Sequence, residues 1–132
     1  MSQQDVETIR GGYEAFARQD IPAVLALFDP EIEWDTSDAL PEGGVHHGHE
    51  GVGRFFQSLP ETYAELRVEP EDFLDAGEHV VVLGTHRGRG HNGYEFEARF
   101  VHVWDMRGGL AARFRETADT AKILPAVEQQ AV

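Results

Sequence analysis

Phe96-Glu97-Ala98-Arg99-Phe100-Val101-His102-Val103-Trp104 is the stretch on which the reading of this chain turns. Its even positions are Phe, Ala, Phe, His and Trp; its odd positions are Glu, Arg, Val and Val. A period of two over nine residues predicts a β-strand. The mostly apolar even face should look inward, yet it carries an imidazole. A second strand follows, with Leu110, Ala112, Phe114, Glu116 and Ala118 on its apolar face. Joined through a three-residue turn, Arg107-Gly108-Gly109, the two would pair Phe100 with Glu116 and His102 with Phe114. His102 and Glu116 would then be diagonal neighbours on one face. Two adjacent strands each aiming one titratable side chain at an apolar interior predict a pocket.

Working outward, the chain before this pair begins with helices. Val6, Ile9, Tyr13, Phe16 and Ala17 recur at helical spacing, interrupted by Gly11 and Gly12, which suit close packing. Asp20 caps a second, short helix with Pro22 in its first turn, carrying Val24, Leu25, Leu27 and Phe28 and stopping at Asp29-Pro30. Glu31 to Asp35 reads as a short strand around Ile32 and Trp34. Thr36 to Gly48 reads as a loop. A third helix starts near His49, buries Val52, Phe55, Phe56 and Leu59, and ends at Pro60. Strands follow from Ala64 to Val68, resuming near Phe73, and from His79 to Arg89. Ala118 to Val127 reads as a terminal helix or tail. Helices first and a meander after predict a single α+β domain, its helices covering one face of a curved antiparallel sheet.

Composition narrows the function classes. The 132 residues carry 24 acidic against 11 basic side chains, a formal net charge of −13. That sign disfavours nucleic acid and anionic membrane surfaces. The absence of cysteine excludes disulfides and thiolate chemistry. No apolar run nears the roughly 20 residues that span a bilayer, and no signal peptide is visible. A cytoplasmic protein is the expectation.

The order of elements resembles the NTF2-like, cone-shaped α+β barrel, specifically its SnoaL-like, ketosteroid-isomerase-related group. The resemblance rests on Tyr13-Glu14-Ala15-Phe16, on Asp20 to Pro30, and on Ile32-Glu33-Trp34. It continues through the glycine-led run Gly48 to Phe56, Phe100 to Trp104, and the closing Glu116-Thr117-Ala118-Asp119-Thr120. It implies a conical barrel open at one end, a deep apolar pocket, and dimers formed through the outer face of the sheet. It does not imply one reaction, because this fold hosts many.

Three residues are candidates for chemistry. His102 would transfer a proton or polarise a substrate. Glu116 or Asp119 would serve as base. A buried ion pair for the first two, and a helix cap for Asp119, are the structural alternatives. Trp34, Phe55, Phe56, Phe100 and Trp104 would line the wall, with Tyr13 and His86 reaching in as polar groups. Val81, Leu83, Val101 and Val103 form an outer apolar stripe that suits a twofold partner. His46, His47 and His49 invite a metal reading, but no carboxylate follows at ligand spacing, and neither a metal nor a cofactor is expected. Gly88 to Gly93 lacks the ending of a phosphate loop, and no Gly-x-Ser-x-Gly elbow occurs. The expectation is a pocket for a small apolar, carbonyl-bearing molecule, worked on by cofactor-free acid–base chemistry. A non-catalytic binding domain is the alternative.

Overall fold

The computed structural model describes residues 2–128. Its elements run α1 (Ser2–Ala17), α2 (Ile21–Leu25), β1 (Phe28–Thr36), β2 (Gly44–His47), α3 (Gly48–Thr62), β3 (Tyr63–Ala76), β4 (His79–Gly90), β5 (Glu95–Arg107), β6 (Leu110–Ala118) and α4 (Thr120–Val127). The strands form one sheet in the order β2-β1-β6-β5-β4-β3. It is antiparallel at every junction except β1–β6, which is parallel. The sheet curves without closing, and α1 and α3 pack on one face of it. The α+β architecture, with helices against a curved sheet, is thus as expected. Among the described residues no helix is long and apolar enough to cross a membrane.

The helices form for the reasons their sequences suggest. Val6, Ile9 and Ala15 of α1 are buried, with Tyr13 and Phe16 packed beside them. The close approach falls at Gly12, where an added Cβ would lie 3.4 Å from Leu27, while Gly11 faces open space. Asp20 accepts a hydrogen bond from the Ala23 N–H at 3.2 Å and so caps α2. That helix ends three residues before Phe28, which opens β1 instead of closing the helix. Tertiary pairing wins there: Phe28 sits opposite Ala111, and the Ala111 N–H bonds the Leu27 carbonyl. Pro30 is tolerated in β1 because the register with β6 shifts between Phe28 and Glu33.

Three other expectations are corrected. The segment from Thr36 to Gly48 is not all loop, since β2 pairs its end with β1 through four residues. Pro60 does not end α3, which continues to Thr62. A proline that close to a helix C-terminus removes only one bond of the ladder, and the Tyr63 N–H still reaches the Leu59 carbonyl. β3 is one strand of 14 residues, not two pieces. The lapse in its pattern marks a register shift between Pro70 and Asp72.

The core lies between the sheet and the helices. Ile32, Val52, Val80 and Val82 are its largest fully buried members. A second cluster of Leu40, Tyr63, Phe96, Ala98, Ile123 and Ala126 ties α4 to the sheet. Aromatic rings of β5 cover glycines of β4. A Cβ on Gly84 would stand 2.4 Å from the Phe100 ring, and one on Gly88 would stand 2.7 Å from Phe96. Only glycine leaves room for rings laid flat on the strand beneath.

Candidate functional site

Three neighbouring strands bring three ionisable groups onto the inner face of the sheet. Val82 of β4 lies opposite His102 of β5, which lies opposite Glu116 of β6. Two steps of the pleat along β4 from Gly84 stands His86. The His102 Nε2–H donates to Glu116 Oε2 at 2.7 Å, and the His86 Nε2–H donates to the same oxygen at 2.8 Å. On the far side of His102, the Tyr13 hydroxyl donates to Nδ1 at 2.6 Å. The Trp104 Nε1–H in turn donates to the Tyr13 oxygen at 3.1 Å. The chain Trp104–Tyr13–His102–Glu116–His86 is consistent with one tautomer of His102, neutral and protonated on Nε2.

The register was not legible from the turn. Gly108 and Gly109 form a two-residue connection with φ of 59° and 82°, both positive, as a type I′ hairpin requires. Continued without interruption, that turn would place Arg115 opposite His102 and send Glu116 to the outer face. One extra residue prevents this. Asp105 pairs with Arg113 and Met106 with Ala111, so Ala112 bulges out of the ladder. The inner face of β6 therefore reads Ala111, Phe114, Glu116, and Ala112 is not part of it. His102 and Glu116 face each other directly, not diagonally, and Phe100 lies opposite Ala118.

Burial and partners set the charges. Desolvation alone would raise the Glu116 carboxyl, but hydrogen bonds from His102 and His86 outweigh it and hold the group well below the usual carboxylate range. Desolvation lowers His102 below the usual imidazole value despite the carboxylate beside it. Burial pushes the Tyr13 hydroxyl above its ordinary value. The site at rest is one carboxylate held by two imidazoles, with His102 neutral.

These groups line a cavity of about 90 Å³. A single water needs roughly 10–15 Å³, so the space exceeds what one water fills. Of the ten residues expected to form the site, Tyr13, Trp34, Phe55, Phe56, His86, His102, Trp104 and Glu116 line it. Phe100 does not; it stacks behind His102 with ring centres 3.9 Å apart. Asp119 is exposed at the N-cap position of α4, away from the lining, and its side chain makes no capping bond. His46, His47 and His49 do not converge. The His46 ring bonds the Glu42 carbonyl, the His49 ring bonds the Phe28 carbonyl, and His47 is exposed.

Sequence reading missed Thr36, Glu42 and Tyr63, which also line the cavity. The Tyr63 hydroxyl donates to Glu42 Oε2 at 2.7 Å, while Oε1 is buried without a partner. Burial raises the Glu42 carboxyl above its usual value, against the lowering effect of that bond. Glu42 lies in a Gly- and Pro-rich connection, where nothing in the residue pattern signals burial.

Among the described residues, His86, His102 and Glu116 are a set whose donor atoms lie within 4.8 Å of one another. Two imidazoles and a carboxylate can hold a metal ion. Metal-bound imidazoles need an acceptor on the remote nitrogen. Here the neighbour of His102 Nδ1 is the Tyr13 hydroxyl, which also accepts a hydrogen bond from Trp104 Nε1–H, and His86 Nδ1 has no partner. The three groups bond one another through Glu116 Oε2, and His102 alone of the two imidazoles has a partner on its remote nitrogen.

Comparison with known proteins agrees with this architecture. No curated protein matches the chain. An NTF2-like protein of unknown function from Burkholderia pseudomallei is 38% identical, with 96% of this chain and 98% of that one covered and a TM-score of 0.90. TerC, crystallised with polyporic acid, is 30% identical over 96% of this chain and 99% of its own, with a TM-score of 0.89. A putative SnoaL-like polyketide cyclase from Jannaschia sp. shares the fold at 19% identity, a TM-score of 0.83, and coverage of 98% and 94%. The family model for the SnoaL-like domain matches residues 9–114, a stretch that holds Tyr13, His86 and His102 and stops two residues before Glu116. The chain therefore belongs to the SnoaL-like family of NTF2-like proteins.

Proposed function

We propose that this protein performs acid–base chemistry, without a cofactor, on a small, ring-bearing carbonyl compound. The hydrogen-bonded chain ending at His86 carries the reading. His102 has both ring nitrogens engaged, so it positions Glu116 and transfers no proton itself. His86 has Nε2 on Glu116 and Nδ1 without a partner. The His86 imidazole, which lines the cavity, is the group that exchanges a proton with a substrate, and the Glu116 carboxylate stabilises the imidazolium that forms. The expected roles of His102 and Glu116 therefore pass to His86 as carrier and Glu116 as its partner. Asp119 takes no part from its exposed position. Apolar walls from Trp34, Phe55, Phe56 and Trp104 suit a flat ligand. TerC was crystallised with polyporic acid, so a relative of this chain is compatible with an organic acid.

Exchange of the protons beside the carbonyl of α-tetralone in deuterium oxide, followed by NMR, tests the reading. The protein should accelerate exchange above the buffer rate, and His86→Ala should lower that acceleration roughly a hundred- to ten-thousand-fold. Exchange at the buffer rate over a panel of cyclic ketones would remove acid–base catalysis and leave a binding domain.

The outer face favours a second copy of the chain as partner. Leu74, Val81 and Val103 stand in register across β3, β4 and β5, with Leu83 and Val101 beside them. Leu74 and Val101 are exposed. An apolar stripe across three strands is best covered by a twofold-related sheet. Sedimentation at micromolar concentration should give the mass of a dimer, and Val101→Glu should give a monomer.

A further inference from the structure

We infer that α4 is a gate over the His86 end of the cavity, held shut by the turn between β4 and β5. This rests on the cavity being the working site, as proposed above. Register places α4 there. His86 pairs with Ala98, and Gly88 with Phe96. Ile123 and Ala126 of α4 pack with Phe96 and Ala98, together with Leu40 and Tyr63. Ile123 is 2% exposed and lines the cavity, so α4 closes that space at this end. Lifting the helix removes the wall.

Little in α4 itself keeps it helical. It has eight residues, and isolated helices shorter than about 12–15 residues are marginal in water. Asp119 at its N-cap makes no side-chain bond. Its first turn has no acidic residue and its last turn no basic one to meet the helix dipole. Pro125 lies inside the helix and has no N–H to offer the preceding turn. The order of α4 therefore comes from burying Ile123 and Ala126 and from whatever holds its end. Elements that depend on so few contacts open locally at a lower free energy than core strands do.

The β4–β5 turn supplies the hold. The Asn92 Nδ2–H donates to the Pro125 carbonyl at 2.8 Å, and the His91 Nε2–H donates to the Pro60 carbonyl at 2.9 Å. Both carbonyls lie in the last turn of a helix, where the ladder offers them no partner. The Tyr94 N–H donates to Asn92 Oδ1 at 3.0 Å, which fixes the amide with its nitrogen toward α4. Gly90, the last residue of β4, lets the end of α4 lie against the strand: a Cβ there would collide with the Ala126 carbonyl. One turn thus clasps the ends of α3 and α4. Leu59 and Tyr63, on either side of Pro60, line the cavity as Ile123 does, so the clasp holds walls of the cavity itself.

Two measurements test the gate without any ligand. Native-state hydrogen exchange of the wild-type chain should show the Leu124 and Ala126 amides exchanging through a local opening, at rates independent of dilute denaturant and faster than those of β4 and β5. Asn92→Ala removes one bond of the clasp and should speed that exchange about fivefold. Gly90→Ala crowds the Ala126 carbonyl and should speed it at least as much. Neither residue lines the cavity. Trp34 and Trp104, the only two tryptophans of the chain, do line it, so quenching of their fluorescence by acrylamide reports entry. Quenching should be weak in the wild type and rise in both variants along with the exchange. Exchange of the α4 amides only together with those of the sheet would overturn the gate, and this holds even where a variant fails to fold. So would unchanged quenching in both folded variants, or wild-type quenching as strong as that of free N-acetyltryptophanamide. Because no turnover enters the readout, a gate that opens in a protein without proton-exchange activity would stand while the acid–base reading falls. Activity with an α4 that never opens locally would do the reverse.

Discussion

Replacing Glu116 by alanine should lower stability by about 3–5 kcal/mol, the range for breaking a buried charge network by removing one member. The carboxylate accepts from two imidazoles through one oxygen, and its side chain is only 12% exposed. Alanine leaves two buried N–H donors unpaired, each costing roughly 1–3 kcal/mol. Glu116→Gln keeps an acceptor oxygen and the volume, and should lose less. Thermal melts would show the difference, since each kcal/mol moves the midpoint by several degrees in a domain of this size. A melting temperature for Glu116→Ala within about 3 °C of wild type would mean that the imidazoles are satisfied elsewhere.

The same network sets how stability depends on pH. Glu116 is held below its unfolded value, so the unfolded chain binds more protons in acid and stability falls as pH drops below the ordinary carboxylate range near about 4.3. His102 is lowered as well, so the unfolded chain takes its proton first, and stability also falls as pH drops below about 6.5. Glu42 acts in the opposite direction. Its raised carboxyl favours the folded state while protonated, and that contribution is lost as pH rises through its folded value. Denaturant midpoints should therefore decline from neutral pH into acid, and Glu116→Gln should flatten the decline.

Trp34→Ala should cost a similar 3–5 kcal/mol, for packing instead of charge. The indole stacks on Phe114 with ring centres 3.9 Å apart and meets Phe28, Phe55, Phe56 and Trp104 between 5.4 and 5.8 Å. It is 5% exposed and joins β1 to both α3 and the inner face of the sheet. Alanine leaves a void that rings on several elements cannot all move to fill. Trp34→Phe should lose considerably less, because it keeps most of the area and removes a buried N–H that has no hydrogen-bond partner. Chemical denaturation of the two variants checks both numbers. A loss under about 1 kcal/mol for alanine would mean that the aromatic cluster repacks freely.

How much of this was legible can be judged residue by residue. The alternation from Phe96 to Trp104 placed His102 inside, and the helical spacing of Val6, Ile9, Tyr13 and Phe16 placed the tyrosine on the same interior. Periodicity is local, and it reports burial well. It does not report which residue of the next strand stands opposite. The reading from the turn put Phe114 across from His102, whereas the bulge at Ala112 puts Glu116 there. Nor does a pattern reveal that His86 reaches the same carboxylate from the third strand. Glu42 was lost in a segment whose glycines and proline signal a loop and nothing about its contacts.

The amino-acid order by itself determined the helices, the inward face of β5 and the acidic, cysteine-free composition, because each follows from the residue's own preference and its near neighbours. The tertiary structure alone decided the parallel β1–β6 pairing, the bulge that turns Glu116 inward, the convergence of two imidazoles on one oxygen, and the unpaired Trp34, Thr36 and Glu42. Those depend on register and on chain segments distant in sequence, and a shift of one residue in one strand would undo them while leaving every local preference intact.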